Sequence, residues 1–196
     1  MVVIAITGDI GAGKSTVANF LAQKLDCNNF NADKIAKSIW NLESIKNTAV
    51  SRWGSSIIDN SGNIIKNKIA QIIFSNKSEN IWCNNLIHPL VFEELHRIVN
   101  QEYKLQKNFV VLEIPILSAR FNWINYVIFV TAPLDLRVKR RQIQSGWSRQ
   151  EFLQRENFFA DSLERISFSN FLIENNFDFS DLNDSLDKIL TQIKSN

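Results

Sequence analysis

The sequence predicts an α/β fold with three layers, in which a five-stranded parallel sheet has helices on both faces. Apolar runs rich in β-branched residues recur along the chain, and helical patterns separate them. These runs show little alternation of apolar and polar residues, which is typical of strands buried on both faces. The predicted strands are residues 2–6, 28–31 (the weakest), 109–114, 126–131 and 171–174.

A glycine-rich loop follows the first predicted strand directly. It matches the P-loop pattern G-x-x-x-x-G-K-[ST] without a mismatch, as Gly8-Asp9-Ile10-Gly11-Ala12-Gly13-Lys14-Ser15-Thr16. Backbone N–H groups of Gly11 to Thr16 would face the phosphates, Lys14 would meet the β- and γ-phosphates, and the Ser15 hydroxyl would bind Mg²⁺. A P-loop NTPase fold that binds a nucleoside triphosphate is therefore predicted. The alternative is a glycine-rich turn without a ligand.

A mainly helical insert is predicted over residues 33–104, because no strong strand pattern occurs there. Its longest helix is expected over 84–105, with Pro89 near the first turn. A turn signal at 59–62 separates two shorter pieces. Three tryptophans also fall in the insert, and they are read either as core or as ligand-stacking side chains: Trp40, Trp53 and Trp82.

A basic segment over residues 137–165 is predicted to form a helix, a turn and a second helix. Gly146 marks the break, and Ser148 is a plausible N-cap with Glu151 three residues later. Seven cations lie here, namely Arg137, Lys139, Arg140, Arg141, Arg149, Arg155 and Arg165. They indicate a local anion site or a mobile lid, and the alternative is a solvated helix face. The remaining segments, 1–32, 105–136 and 166–196, would form the nucleotide-binding core, which closes with a helix over 180–194.

Composition limits the classes of partner. The chain has 196 residues, 45% of them apolar, and a net charge of +2. This charge is too small to attract nucleic acid or an anionic membrane over the protein as a whole. No apolar run approaches the length of a membrane helix. Cys27 and Cys83 belong to no metal motif, which favours reduced thiols in the cytoplasm. We expect a monomer, with a homo-oligomer as the alternative.

A P-loop alone leaves a kinase, a switch GTPase, a motor or an ATPase open. Asn76-Lys77-Ser78-Glu79 approaches the GTPase base-reading motif N-K-x-D but lacks its Asp. A helical insert after the second strand together with an arginine-rich lid is how nucleoside and metabolite kinases are built. The layout therefore favours a small kinase.

Five motifs in order resemble one family, the dephospho-coenzyme A kinases. They are Ile6 to Thr16, Asn31-Ala32-Asp33, Leu86-Ile87-His88-Pro89-Leu90, Glu113-Ile114-Pro115-Ile116-Leu117 and Ile173-Glu174-Asn175. The resemblance runs nearly end to end. It implies an enzyme that uses ATP and Mg²⁺ to phosphorylate the ribose 3′-hydroxyl of dephospho-coenzyme A, which is the last step of coenzyme A synthesis.

The resemblance also implies roles for individual residues. Asp33 matches the catalytic base, and its alternative is a helix N-cap. Arg140 matches a lid arginine that clamps phosphate, and Arg155 aligns with another. Glu113 would hold Mg²⁺ with Ser15, directly or through water, or else it is a buried structural carboxylate. The remaining predicted contacts are His88 and Pro115 for the acceptor and Asn175 for the adenine pocket. The alternative for His88 is that it fixes the insert by hydrogen bonding.

Several positions depart from the family pattern. Asn31 replaces the first Asp of Asp-x-Asp, and Asp9 replaces a frequent Gly of the P-loop. Further departures are Gln144, Asn170 and Ser118-Ala119-Arg120. Two alternatives therefore stay open: a kinase that acts on a nucleoside or a nucleoside monophosphate, and a regulatory protein that holds ATP without transferring phosphate.

Overall fold

The fold is described from a computed structural model, for residues 1–117, 121–158, 162–176 and 179–195. The departure at Ser118-Ala119-Arg120 lies outside these residues. The chain divides into two compact units, Met1–Asn31 with Ile98–Asn196, and Ala32–Arg97. The strands are β1 (Val2–Gly8), β2 (Asn29–Asn31), β3 (Phe109–Glu113), β4 (Tyr126–Thr131) and β5 (Phe171–Glu174). The helices are α1 (Lys14–Lys24), α2 (Ala32–Ile39), α3 (Glu43–Trp53), α4 (Lys66–Ser75), α5 (Lys77–Lys104), α6 (Leu134–Ser145), α7 (Arg149–Glu156), α8 (Ser162–Ser167) and α9 (Phe179–Ser195).

The first unit contains a five-stranded sheet in the order β2-β3-β1-β4-β5, and all of its strand pairs are parallel. This confirms the predicted parallel sheet. β1 is the central strand, with Ile4 opposite Val111 on one side and Tyr126 on the other. Because the strands are parallel, the loops that follow them meet at one edge of the sheet, which is where ligands bind in open α/β folds.

The main core of the first unit joins the sheet to α1 and α9. Ile4, Ile6 and Ile128 contribute from the strands, Leu21 from α1 and Leu186 from α9, and all five are fully buried. The predicted closing helix is confirmed as α9. A smaller cluster consists of Ile10, Val138, Phe152 and Trp147. It packs a P-loop side chain against α6 and α7.

The second unit is helical and has its own apolar cluster. Ala49, Ile57 and Ile69 are buried there, and partly buried Trp40 and Trp53 pack against them. The rings of Trp53 and Trp82 lie 4.9 Å apart, centroid to centroid. The Trp53 indole N–H donates to Glu79 Oε2 at 2.7 Å, so its polar atom has a partner within the unit. These contacts support the core interpretation of the tryptophans.

Helix α5 starts earlier than its sequence pattern predicts. It begins at Lys77, where the Asn76 side chain accepts hydrogen bonds from the Ser78 and Glu79 N–H groups, and Pro89 lies inside it. The expectation that Pro89 marks the first turn is therefore wrong. A row of buried residues four apart continues through the proline, and this packing outweighs the helical hydrogen bond that proline cannot make: Cys83, Ile87, Val91, Leu95 and Val99.

The predicted helix, turn and helix of the basic segment are confirmed as α6 and α7, but the segment also reaches into a third helix, α8, that was not predicted. Gly146 ends α6 in the left-handed region, with φ of 71°. Ser148 caps α7, since its Oγ accepts from the Glu151 N–H at 3.1 Å. Within the described ranges, none of the helices combines the length and apolarity needed to cross a membrane.

Candidate active site

The P-loop links β1 to α1 and depends on glycines. Gly8 has φ of 142°, and a Cβ there would overlap the Val130 carbonyl of β4. Gly13 has φ of 89° and precedes the first residue of α1, so the N-terminus of that helix opens at the end of the loop. The Asp9 N–H donates to Val130 O at 3.0 Å. The loop is therefore fixed to the carboxyl end of the sheet.

The P-loop lysine is held by the loop itself. Lys14 Nζ donates to the carbonyl oxygens of Gly8 at 3.1 Å and Asp9 at 2.8 Å, and the residue is only 7% exposed. Its ammonium group is thus desolvated and directed at oxygen acceptors. Phosphate oxygens are stronger acceptors for a cation than carbonyl oxygens, so a bound nucleotide can compete for the same proton donors.

A buried carboxylate connects the ends of the neighbouring strands. Glu113, the last residue of β3, accepts from Ser15 Oγ at 2.6 Å and from Asn31 Nδ2 at 2.5 Å, and it is 5% exposed. Hydroxyl and carboxylate oxygens are the ligands that Mg²⁺ prefers. The described residues include no cluster of three or more His, Cys, Asp or Glu side chains, so a metal here would also need oxygens from nucleotide or water.

Two arginines of α6 bind the backbone of the P-loop. Arg140 donates to the carbonyls of Gly11 at 3.3 Å and Ala12 at 3.0 Å, and its burial lowers the pKa of the guanidinium below its ordinary value. Arg137 donates to Ile10 O at 3.3 Å and pairs with Glu156. Both side chains are buried. The solvated-face alternative is therefore wrong for these two arginines.

Asn175 follows β5 and also contacts the loop. Its Nδ2 donates to Ala12 O at 2.9 Å, and its carbonyl accepts from Arg140 Nη2 at 2.9 Å. A Cβ at Gly13 would overlap the Asn175 side-chain amide, so this close approach requires glycine at position 13. Asn175 therefore lies beside the P-loop and binds its backbone. The sequence predicted Asn175 only as a contact in the adenine pocket.

The remaining predicted residues of the first unit occupy different surroundings. Arg155 pairs with Glu151 at 2.8 Å, and its guanidinium lies 4.3 Å from the centre of the Trp147 ring. The Pro115 carbonyl accepts from Thr7 Oγ1 and from Arg165 Nη1, each at 3.4 Å. Pro115 thus contributes a backbone acceptor at the end of β3. Arg165 was predicted only as one of the lid cations, and no sequence signal indicated its contact with the Pro115 carbonyl.

Two predicted residues lie in the second unit. Asp33 is the second residue of α2 and is exposed, so the alternative of an N-cap does not fit its place in the helix. His88 lies within α5, edge-on to Phe92 with ring centroids 6.4 Å apart. Partial burial lowers the pKa of His88 below its ordinary value. The imidazole is therefore neutral at physiological pH.

A central parallel strand, a P-loop that opens on a helix N-terminus, and a lysine and buried arginines gathered at that loop define a P-loop kinase. The family model described as dephospho-CoA kinase matches residues 2–181. A curated dephospho-CoA kinase of Fusobacterium nucleatum is 30% identical and covers 93% of each chain, and one of Legionella pneumophila is 35% identical over 70% of this chain and 68% of the other. The chain therefore belongs to the dephospho-CoA kinase family.

Solved structures agree with this fold. A crystal structure from Thermus thermophilus superposes with a TM-score of 0.74 at 28% identity and covers 97% of each chain. A shikimate kinase from Bacteroides thetaiotaomicron gives a TM-score of 0.52 at 15% identity, with 98% of each chain covered, and shares the fold alone.

Proposed function

We propose that this protein transfers the γ-phosphoryl group of ATP to the ribose 3′-hydroxyl of dephospho-coenzyme A, which yields coenzyme A and ADP. Membership of the family supports the substrate. The single observation that carries the proposal is Glu113, because its carboxylate joins Ser15 of the P-loop to Asn31 at the end of β2. The phosphate-binding loop and the strand that leads to Asp33 are thereby tied to the same carboxylate.

The nucleotide side uses the P-loop. Backbone N–H groups of Gly11, Ala12, Gly13, Lys14, Ser15 and Thr16 would bind the phosphates. Lys14 would exchange its two carbonyl acceptors for oxygens of the β- and γ-phosphates. Arg140 would add positive charge beside the loop, and Asn175 would hold the loop in shape for the nucleotide. In a loose phosphoryl-transfer transition state, such positioning and charge compensation supply most of the catalysis.

The metal side uses Ser15 and Glu113. Their oxygen atoms fit Mg²⁺, and Asn31 orients the Glu113 carboxylate by donating to its other oxygen. Bound Mg²⁺ would neutralise negative charge on the phosphates of ATP. Ser15 and Glu113 would hold it together with water and phosphate oxygens.

The acceptor side uses Asp33, whose role rests on the motif Asn31-Ala32-Asp33. Asp33 would take the proton of the 3′-hydroxyl as the new bond between O3′ and the γ-phosphorus forms and the bond to the bridging oxygen of ADP breaks. His88, Pro115 and Arg155 are proposed to contact the acceptor. His88 is expected to do so as a neutral hydrogen-bonding group, given the direction of its pKa.

The decisive experiment measures ADP release from Mg·ATP by the purified protein, with dephospho-coenzyme A, adenosine, AMP or no acceptor, and determines the mass of the product. A rate that depends on dephospho-coenzyme A and yields coenzyme A is expected, and Lys14→Ala should abolish it. Faster turnover of adenosine or AMP would favour the nucleoside or nucleotide kinase. ATP binding without turnover of any acceptor would favour the regulatory protein.

We also propose a monomer that works in the cytoplasm. Both cysteines are free thiols, and burial raises the pKa of each thiol to about 11, so neither is a reactive thiolate at neutral pH. This fits structural cysteines in a reducing compartment.

A further inference from the structure

The P-loop carries an aspartate at its second position, and the fold surrounds this carboxylate with specific partners. Asp9 Oδ2 accepts from Thr131 Oγ1 at 2.6 Å, and Asp9 Oδ1 lies 3.7 Å from Arg165 Nη2. Thr131 is the last residue of β4, and the neighbouring Val130 carbonyl accepts from the Asp9 N–H. The side chain and the backbone of Asp9 are therefore both attached to the end of one strand.

Arg165, on α8, is the buried cation of this arrangement and is 2% exposed. Its Nη1 donates to the Gly8 carbonyl at 3.0 Å and to the Pro115 carbonyl at 3.4 Å. The guanidinium also lies 5.4 Å from the centre of the Phe129 ring. One side chain thus connects the carboxyl-terminal ends of β1, β3 and β4.

The same backbone atoms serve the phosphate-binding lysine. The Gly8 carbonyl accepts from Arg165 Nη1 and also from Lys14 Nζ, and the Asp9 carbonyl accepts from Lys14 Nζ. The position of the Gly8–Asp9 backbone therefore sets the position of the lysine ammonium. Arg165, which lies 157 residues later in the chain than Gly8, holds that backbone by donating to the Gly8 carbonyl.

A carboxylate in a loop that must bind a polyanion is electrostatically unfavourable. Asp9 is buried, so water screens its charge weakly. An adjacent buried guanidinium offsets this charge, and removal of either member of a buried pair leaves the other uncompensated. We therefore expect the effects of substitutions at Asp9 and Arg165 on nucleotide affinity to be non-additive.

We propose that Asp9 and Arg165 form a buried charge pair that positions the Gly8–Asp9 backbone for Lys14 and prevents the Asp9 charge from opposing the bound triphosphate. Arg165 is then a positioning residue for phosphoryl transfer, and Asp9 is its counter-charge. The inference rests on the proposed function only for the identity of the nucleotide, ATP.

The test is a double-mutant cycle read by calorimetric binding of Mg·ATP and by the KM for ATP. Arg165→Met should weaken ATP binding by at least about tenfold, because Asp9 is then uncompensated. Asp9→Asn alone should bind within about threefold of the wild type or more tightly. The double variant should bind at least about threefold more tightly than Arg165→Met, and the loss that remains is the effect of the missing hydrogen bond to the Gly8 carbonyl. The loss in Arg165→Met should appear in KM, with kcat changed by less than about threefold.

A double variant that binds ATP as weakly as Arg165→Met would overturn the proposal, since loss of packing at Arg165 would then explain the effect. Arg165→Lys retains the charge and covers the case in which the methionine variant does not fold. We expect Arg165→Lys to bind within about threefold of the wild type, and a tenfold weakening would overturn the proposal.

The matched control is the exposed pair of Lys24 and Asp187, whose atoms lie 2.6 Å apart on α1 and α9. Lys24→Met, Asp187→Asn and their combination should leave ATP binding unchanged. The two proposals fail separately. Coupling in ATP binding without formation of coenzyme A would reject the proposed function alone, and formation of coenzyme A without coupling would reject the charge pair alone.

Discussion

The Asn31 amide donates a 2.5 Å hydrogen bond to the carboxylate of Glu113. An ionised aspartate at position 31, as in the usual motif of the family, has no proton to donate and would face Glu113 with a second negative charge. The departure at Asn31 is therefore compatible with this site. It leaves Glu113 as the carboxylate that holds Ser15, and it reduces the negative charge near the proposed metal by one.

Asn31→Asp should destabilise the protein in the absence of metal. The variant loses a hydrogen bond to a charged group and gains a like-charge contact, which together should cost about 1.5–3 kcal/mol of the free energy of unfolding. Excess Mg²⁺ should restore part of the loss, because a cation can lie between the two carboxylates. Thermal unfolding with and without Mg²⁺ measures both effects. Asn29→Asp adds the same charge on β2 and is the control; an equal response of the two variants would contradict the prediction.

Asp33→Asn should retain ATP binding and lower kcat by about 10² or more, the usual scale of general-base catalysis. The measurement is the rate of coenzyme A formation at saturating substrates, together with calorimetric binding of ATP. Asp184→Asn, an exposed substitution on α9, controls for the change in net charge. An unchanged kcat in Asp33→Asn would remove this residue from the role of base.

Ser148→Ala should destabilise α7 by about 1 kcal/mol, because the Glu151 N–H loses its side-chain acceptor. Amide hydrogen exchange over α7 measures this locally, and faster exchange is expected there. Ser148→Asp restores an acceptor at the cap and should restore protection. Ser145→Ala, at the end of α6, should have little effect on α7. Exchange in α7 that is equally fast in the wild type and Ser148→Ala would show that the cap does not limit opening.

His88 should make the stability of the protein depend on pH in the acidic range. The folded pKa of His88 lies below its unfolded value of about 6.5, so the unfolded state binds more protons between the two values. The contribution of neutral His88 to the free energy of unfolding is therefore fully present above about pH 6.5, and it is lost as the pH falls through the folded pKa. His88→Gln should reduce the difference between melting temperatures measured at about pH 8 and about pH 5.5. His96→Gln, at the exposed second histidine, is the control, and a difference that is unchanged in His88→Gln would contradict the prediction.

The sequence predicted the sheet well because buried parallel strands are short apolar runs. β4 and β5 occupy the predicted residues, and β2 was found although it has only three residues. The start of α5 was predicted too late, because proline usually lies in the first turn of a helix and Pro89 was placed there. In the structure, the row of buried residues on α5 continues through Pro89. The helix propensity of single residues is a weak guide to where a helix begins, because tertiary packing can override it.

The predicted site residues were chosen from motifs, and the contacts among them could not be predicted. Seven cations lie within residues 137–165, and their type does not indicate which of them are buried. Arg149 forms an exposed ion pair with Asp135. Arg137, Arg140 and Arg165 instead donate to backbone carbonyls. Such contacts join residues far apart in the chain. Their partners are backbone oxygens, which carry no sequence signal.

The strand order has a consequence for which residues at the edge of the sheet accept substitutions. The P-loop follows the central strand β1, which is hydrogen-bonded on both sides, whereas Asp33 follows the edge strand β2, which pairs for only three residues. Substitutions after β2 therefore disturb few of the hydrogen bonds between strands, and substitutions after β1 disturb more of them. We therefore expect substitutions to be accepted more readily at the residues that follow β2 than in the phosphate-binding loop, whose strand is paired along both edges.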